Sequence, residues 1–320
     1  MANLMPWDNK IKRRLKLKDL DVFMAVAALG GMGKASARLN LSQPAISKAI
    51  ADLEQALGVR LLDRSRHGVE PTIYGAALMK RGTTVFDELR QGVSDIDFIA
   101  DPTAGDLRLG AVEGVASGII APLIHTLSQK HPKMRFSVEV AGTTRLCAEL
   151  ANRNIEFAIA KTKGDVPDDQ LQETLFEDPL VVATAATNPL TRKRKLSLAD
   201  LIDERWVLEA PDTFFGEMSA LAFSGAGLSQ PKATVMTNSR NLQNALLETG
   251  HFLSLQAAFL LRLSRGSRYP ALKVLPVELP HTRHPVQIIT PRYRSLSPLA
   301  QLVVGRVRAM TKFLAAPERC

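Results

Sequence analysis

Between Gly30 and Lys34 the chain reads GGMGK, and glycines beside a lysine are the raw material of a phosphate-cradling loop. Such a loop, G-x-x-x-x-G-K-[ST], wraps backbone amides around the phosphates, sets the lysine on them and gives magnesium a hydroxyl. Here Ala28 occupies the first glycine position and Ala35 the hydroxyl position. A phosphate loop should also follow a β-strand, whereas Leu20, Phe23, Val26 and Ala27 recur at helical spacing. The glycines therefore read as a bend into a short helix.

Other catalytic chemistry is as thin. His125, His131, His251, His281 and His284 are scattered, and the i,i+3 pair in HTRH at 281–284 has no acidic or cysteine partner nearby. The only cysteines, Cys147 and Cys320, lie in no CxxC and at no ligand spacing from a histidine. No nucleophile triad or metal cluster emerges, so neither an enzyme nor a cofactor is expected. Cysteine usage fits a reducing cytoplasm. The N-terminal stretch MANLMPWDNKIKRRLKLKDL has basic residues but no apolar core or cleavage site of a secretion signal. No apolar run approaches the roughly 18 residues of a membrane span. A cytoplasmic protein without membrane contact is expected.

Charge points to a different chemistry. The 41 Lys+Arg exceed the 32 Asp+Glu by 9, which favours a polyanionic partner without proving one. The elements that would present such charge follow the glycines. Lys34 to Leu39 reads as a short helix broken at Asn40-Leu41. Ser42 is a good N-cap for a second helix that tolerates Pro44 in its first turn. In that helix Ile46, Ile50, Leu53 and Leu57 form one apolar stripe, and Gly58 closes it as a C-terminal cap. Helix, turn, helix with an apolar inner face is the helix-turn-helix pattern. Its outer face carries Gln43, Ser47 and Lys48 at the end that meets base edges: glutamine suits adenine, serine either kind of base, lysine guanine or phosphate. An ordinary amphipathic helix with a wet polar face is the alternative. Against it stands a following wing, with strand Val59 to Arg64, turn Ser65-Arg66-His67-Gly68 and return Val69 to Pro71, whose basic tip suits phosphate or minor-groove contact.

These residues resemble the LysR-type transcriptional regulators. The resemblance is carried by Leu20-x-x-Phe23, by Ala35, Arg38 and Leu39, by LSQPAIS from Leu41 to Ser47, by Leu53-Glu54 and Leu57-Gly58, and by LLDR from Leu61 to Arg64 with Thr72 and Gly75 behind it. It continues more weakly to the C-terminus. It implies DNA contacts from Ser42, Gln43, Pro44, Ser47 and Lys48 and, in the wing, from Arg64 and Arg66. Relatives usually carry a serine and a threonine near the start of the preceding helix; here stand Gly31 and Gly33. Phosphate contact then falls to the backbone at Gly33 and to Lys34.

From Thr72 a long helix is expected, with Leu78, Gly82, Val85, Leu89, Gly92, Ile96 and Ile99 at heptad spacing. Either the seam lies on its own domain or it takes a partner. The resemblance implies the latter: a homodimer through this linker, paired again as a dimer of dimers, on double-stranded DNA with an inverted repeat, with RNA polymerase a further partner.

Beyond the boundary at Asp101-Pro102-Thr103-Ala104-Gly105-Asp106, strands and helices alternate, which predicts an α/β domain with a largely parallel sheet. The resemblance makes the fold a winged helix-turn-helix followed by a two-lobed effector domain like a periplasmic binding protein of type 2. The expected divisions are an N-terminal extension 1–15, the DNA-binding domain 16–75, the linker 76–104 and the effector domain 105–320. Within the last, lobe 1 comprises 106–163 and 268–314 and lobe 2 comprises 164–267. Ligands of such sheets gather beyond strand C-termini. Candidate contacts for a small-molecule effector are Glu113, Gly114, Ser117, Thr143, Thr144 and Lys161 from one lobe, and Thr213, Thr237 and Ser239 from the other. Each also reads as a plain cap or loop residue. Many relatives place an effector-binding hydroxyl at position 114; Gly114 beside Glu113 argues against an aromatic or simple carboxylic acid effector. The function implied is DNA binding modulated by that effector. The alternative, a solute-binding protein without a DNA role, leaves the N-terminal region unexplained.

Overall fold

The computed structural model describes residues 15–65, 68–162, 164–263 and 272–315, so Arg66, His67 and Cys320 lie outside the described residues. The chain divides into two compact units, 1–93 and 94–320.

In the first unit α1 (Leu17–Leu29), α2 (Met32–Leu39) and α3 (Gln43–Leu57) follow one another with tight turns. Gly30 ends α1 at φ 66°, the left-handed conformation that a Cβ disfavours, so the first glycine of GGMGK is a helix cap. Ser42 caps α3, its Oγ accepting from Ala45 N at 3.4 Å. Phe23, Val26, Ala35, Ile46, Ile50 and Leu53 are completely buried, so the apolar stripe read along α3 is the inner face of the three helices. The wing is β1 (Leu62–Ser65) antiparallel to β2 (Gly68–Pro71). Two devices hold it. Glu54 Oε1 accepts from Leu61 N at 2.7 Å and Leu62 N at 3.2 Å, tying the end of α3 to β1. Val69 N donates to Gly30 O at 3.1 Å, tying β2 to the α1–α2 turn.

α4 (Ile73–Ala100) starts under a cap in which Thr72 Oγ1 accepts from Gly75 N at 3.1 Å. A Cβ on Gly75 would lie 2.1 Å from Leu61 O, so only glycine fits there. The heptad seam divides. Leu78 packs on the helix-turn-helix core and Gly82 is buried against Met24 and Leu20, as the own-domain alternative expects. Val85, Leu89, Ile96 and Ile99 are instead 39%, 47%, 67% and 79% exposed. Asp87 is buried and holds Arg90 at 3.3 Å.

The second unit contains two five-stranded sheets. The first has order β4-β3-β5-β12-β6, from β3 (Ala104–Ala111), β4 (Lys133–Val140), β5 (Phe157–Lys161), β6 (Gln170–Asp178) and β12 (His284–Pro291). The second has order β11-β7-β10-β8-β9, from β7 (Leu180–Ala185), β8 (Trp206–Leu208), β9 (Ala233–Met236), β10 (Leu253–Ala257) and β11 (Leu272–Val274). Neither is largely parallel. β3 pairs in parallel with β4 and β5, but β12 is antiparallel to both β5 and β6, and β7 is antiparallel to β10 and β11. The antiparallel strands are those that carry the chain between the lobes.

The lobe limits move accordingly. The second lobe was expected from about 164, yet β6 beyond that point pairs along its length with β12 and belongs to the first sheet. The chain passes over at Pro179, and because β11 pairs with β7 it returns after Val274 rather than near 268.

Candidate functional site

In the first unit the polar end of α3 faces outward. Ser42, Gln43, Pro44 and Lys48 are exposed, as are Gly33 and Lys34 on α2 and Arg64 on β1. Ser47 is half-buried, and its hydroxyl donates to Met32 Sδ at 3.3 Å. The one proton of that hydroxyl is thus turned inward, leaving its oxygen as an acceptor. Arg66 lies outside the described residues.

In the second unit a cavity of about 1310 Å³ opens where strand C-termini of both lobes converge. Beyond β3 lie Glu113 and Gly114; beyond β4, Thr143 and Thr144 at the start of α6 (Thr143–Ala151); at the end of β5, Lys161. The other lobe supplies Glu209 after β8, Asn238 after β9 and Arg240 at the start of α8 (Arg240–Glu248). It also supplies Thr213, Phe214 and Phe215 at the start of α7 (Phe214–Gly225).

Two charged pairs form the floor. Lys161 Nζ meets Asp178 Oδ2 at 2.6 Å with 7% and 2% of the side chains exposed, and lies within 5.6 to 6.0 Å of the rings of Phe214, Phe215 and Phe259. Burial pulls the Lys161 ammonium below its usual range while Asp178 opposes the shift; burial pushes the Asp178 carboxyl up, opposed by Lys161. Arg240 Nη2 stands 3.5 Å from Glu209 Oε1, and Nη1 donates to Gln243 Oε1 at 2.8 Å and Gln256 Oε1 at 3.1 Å. The guanidinium also stacks 4.7 Å from the centre of the Phe215 ring. Burial lowers the Arg240 pKa, opposed first by Glu209 and then by Glu113 across the cleft.

Comparison with known proteins assigns the chain. The profile of the LysR substrate binding domain matches residues 100–312, and that of the bacterial regulatory helix-turn-helix protein, lysR family, matches residues 17–76. The chain belongs to the LysR family.

The HTH-type transcriptional regulator GbpR of Azospirillum brasilense is 27% identical over 301 residues, covering 93% of this chain and 87% of that protein. The crystal structure of full-length BenM is 26% identical with a TM-score of 0.53, covering 95% of this chain and all of that one; the BenM regulator matched in sequence is that of Acinetobacter baylyi. Full-length CbnR in complex with its target DNA shares the fold at 21% identity and a TM-score of 0.52, covering 93% of this chain and 100% of that one. As a LysR-type transcriptional regulator the chain joins a DNA-binding helix-turn-helix to an effector-binding domain of two α/β lobes.

Within this LysR-type effector domain the sequence candidates divide. Glu113, Gly114, Thr143, Thr144, Lys161 and Thr213 line the cavity. Ser117, Thr237 and Ser239 do not, and each is occupied locally. Ser117 Oγ donates back to Glu113 O at 3.0 Å within the π-helical turn Ala116–Ile120. Thr237 Oγ1 accepts from Ser239 N at 3.1 Å, and Ser239 Oγ accepts from Leu242 N at 3.4 Å as the cap of α8. Two of the lining hydroxyls are also engaged. Thr143 Oγ1 donates to Lys161 O at 2.7 Å, and Thr213 Oγ1 donates to Ala210 O at 2.8 Å while capping α7. At position 114 the missing side chain is replaced by a neighbour: a Cβ would lie 3.2 Å from Leu260 Cδ1.

Sequence reasoning missed Arg240, Glu209, Phe214 and Phe215. The signal within reach was Thr213 itself, whose place as a helix cap puts the next two residues, Phe214 and Phe215, in the first turn of the same helix.

Proposed function

We propose that this LysR-type regulator reads an inverted-repeat operator with the outward end of α3, and that a small molecule in the cleft between the lobes shifts its DNA binding. Gln43 and Ser47 meet base edges; Ser42, Pro44, Lys48, Gly33 and Lys34 meet backbone or flanking bases, and Arg64 and Arg66 the groove beside the wing. Support for the reading comes chiefly from α3, whose stripe residues Ile46, Ile50 and Leu53 are buried while its polar N-terminal end is exposed, as are Lys34 and Arg64, in a chain of net charge +9.

The assembly we propose is a homodimer through the exposed part of the α4 seam, paired again as a dimer of dimers, with RNA polymerase as a further partner. Exposed apolar residues at heptad spacing support it: Val85, Leu89, Ile96 and Ile99 are side chains that a coiled partner would cover, with exposed Val93 beside the seam. Its place is the cytoplasm and its role is not enzymatic. Among the described residues no helix is long and apolar enough to cross a membrane. An effector acts only by preferring one arrangement of the oligomer over another.

The test is a gel shift on the intergenic DNA beside the gene, competed with unrelated duplex over a salt series. Preference for the intergenic DNA, with log affinity falling by about 0.9 per log salt for each phosphate neutralised, is the expected result. Equal affinity for both duplexes overturns the specificity, and a flat salt response overturns the phosphate contacts.

A further inference from the structure

The cleft that the proposed function assigns to an effector also carries information about the effector's charge. Each lysine and arginine described on the cavity wall is already neutralised by the protein. Lys161 holds Asp178 at 2.6 Å under three aromatic rings. Arg240 is shared among Glu209, Gln243, Gln256 and the Phe215 face. Arg145, at the rim, lies 2.8 Å from Glu139 and 3.9 Å from Glu149.

Four carboxylates of the same wall are not matched in this way. Among the described residues Glu113, Asp165, Asp169 and Asp212 line the cavity and form no ion pair, Glu113 acting on Arg240 only from across the cleft; Asp165 accepts a 3.4 Å hydrogen bond from the Gln172 amide. They stand on different elements of both lobes, so closure of the cleft around a ligand draws them towards it from several sides. Between them the wall is apolar, with Val112, Val140, Phe214, Phe259 and Leu260.

An anionic ligand entering this space would face these carboxylates and would have to strip Arg240 or Lys161 from a partner that burial makes costly to abandon. A cationic ligand gains charge-assisted hydrogen bonds from carboxylates that hold no ion pair among the described residues. We infer that the effector of this regulator is an organic amine, an ammonium on an apolar body, with Glu113 and Asp212 receiving the ammonium and the ring-lined wall receiving the body. The inference rests on the cleft being the effector site.

It is tested by isothermal titration of the full chain with matched probes that differ only in the charged group: phenethylamine, 2-phenylethanol and phenylacetate, and hexylamine, hexanol and hexanoate. At least one amine is expected to bind more tightly than its alcohol and carboxylate. Glu113→Gln or Asp212→Asn should weaken it roughly tenfold, the loss of one charged hydrogen bond. Both residues are exposed, so the variants keep the fold. An amine insensitive to both substitutions overturns the assignment of its partners. A carboxylate that binds more tightly than its amine, and whose binding Phe215→Ala abolishes, overturns the charge class and leaves the cleft as the effector site. Silence from every amine, with alcohols and carboxylates silent too, counts against both.

Discussion

Lys161 and Asp178 form an ion pair sealed inside the effector domain, Nζ to Oδ2 at 2.6 Å with 7% and 2% of the side chains exposed. The other oxygen of Asp178 accepts from Phe259 N at 2.8 Å. Asp178 is the last residue before the chain passes to the second lobe at Pro179, and Phe259 lies in the first turn of the helix Ala258–Leu263 that follows β10 of the second sheet. The pair therefore ties the outgoing crossing to the helix that follows β10.

Breaking one partner strands the other charge in the interior. Asp178→Ala should cost about 3–5 kcal/mol in urea unfolding of the effector domain within the full chain, whereas Lys161→Met with Asp178→Leu should recover most of it. A single-variant loss below about 1 kcal/mol would show that water reaches the pair.

Acid dependence has a separate source. Asp101 accepts from Lys133 Nζ at 2.8 Å and from Thr103 N at 3.0 Å, and these contacts, Lys133 first, bring its carboxyl from 3.8 down to about 2. Because the folded value lies below the unfolded one, the contribution is complete above 3.8 and disappears as pH falls through about 2. Carboxyl-carbon NMR of Asp101 should give a midpoint near 2; a midpoint at 3.8 means that the contacts do not persist in solution.

The glycines at the head of α2 predict a tolerant position. A Cβ on Gly33 would meet Gln43 Nε2 at 3.3 Å, the far end of a flexible side chain. Gly33→Thr should leave operator affinity unchanged or tighten it by adding a hydroxyl at the phosphate. A clear loss of affinity in a gel shift would contradict the placement of this helix end against the backbone.

Local chemistry was legible where neighbours in sequence are neighbours in space. Ser42, the stripe Ile46, Ile50 and Leu53, and Gly58 define α3 within one helix, and their burial and caps follow from that spacing alone. The cleft was legible only in outline. Arg240 between Ser239 and Asn241 reads as the wet face of a helix, and it becomes a buried floor residue because Glu209 and Gln256 arrive from strands 31 and 16 residues away. Thr237 and Ser239 misled for the opposite reason: their hydroxyls are used within a few residues to start α8. The lobe boundary at 164 moved because membership of a sheet depends on a partner strand, β12, more than 100 residues later.

The central claim is that the outward end of α3 reads bases. Its most direct measurement is the ratio of operator to unrelated-DNA affinity for the full chain and for Gln43→Ala with Ser47→Ala, at one fixed salt concentration. The ratio should collapse towards unity, since a good side chain–base pair carries about 1–3 kcal/mol of discrimination, while affinity for unrelated DNA stays nearly constant. A variant that keeps its preference for the operator would show that another element does the reading.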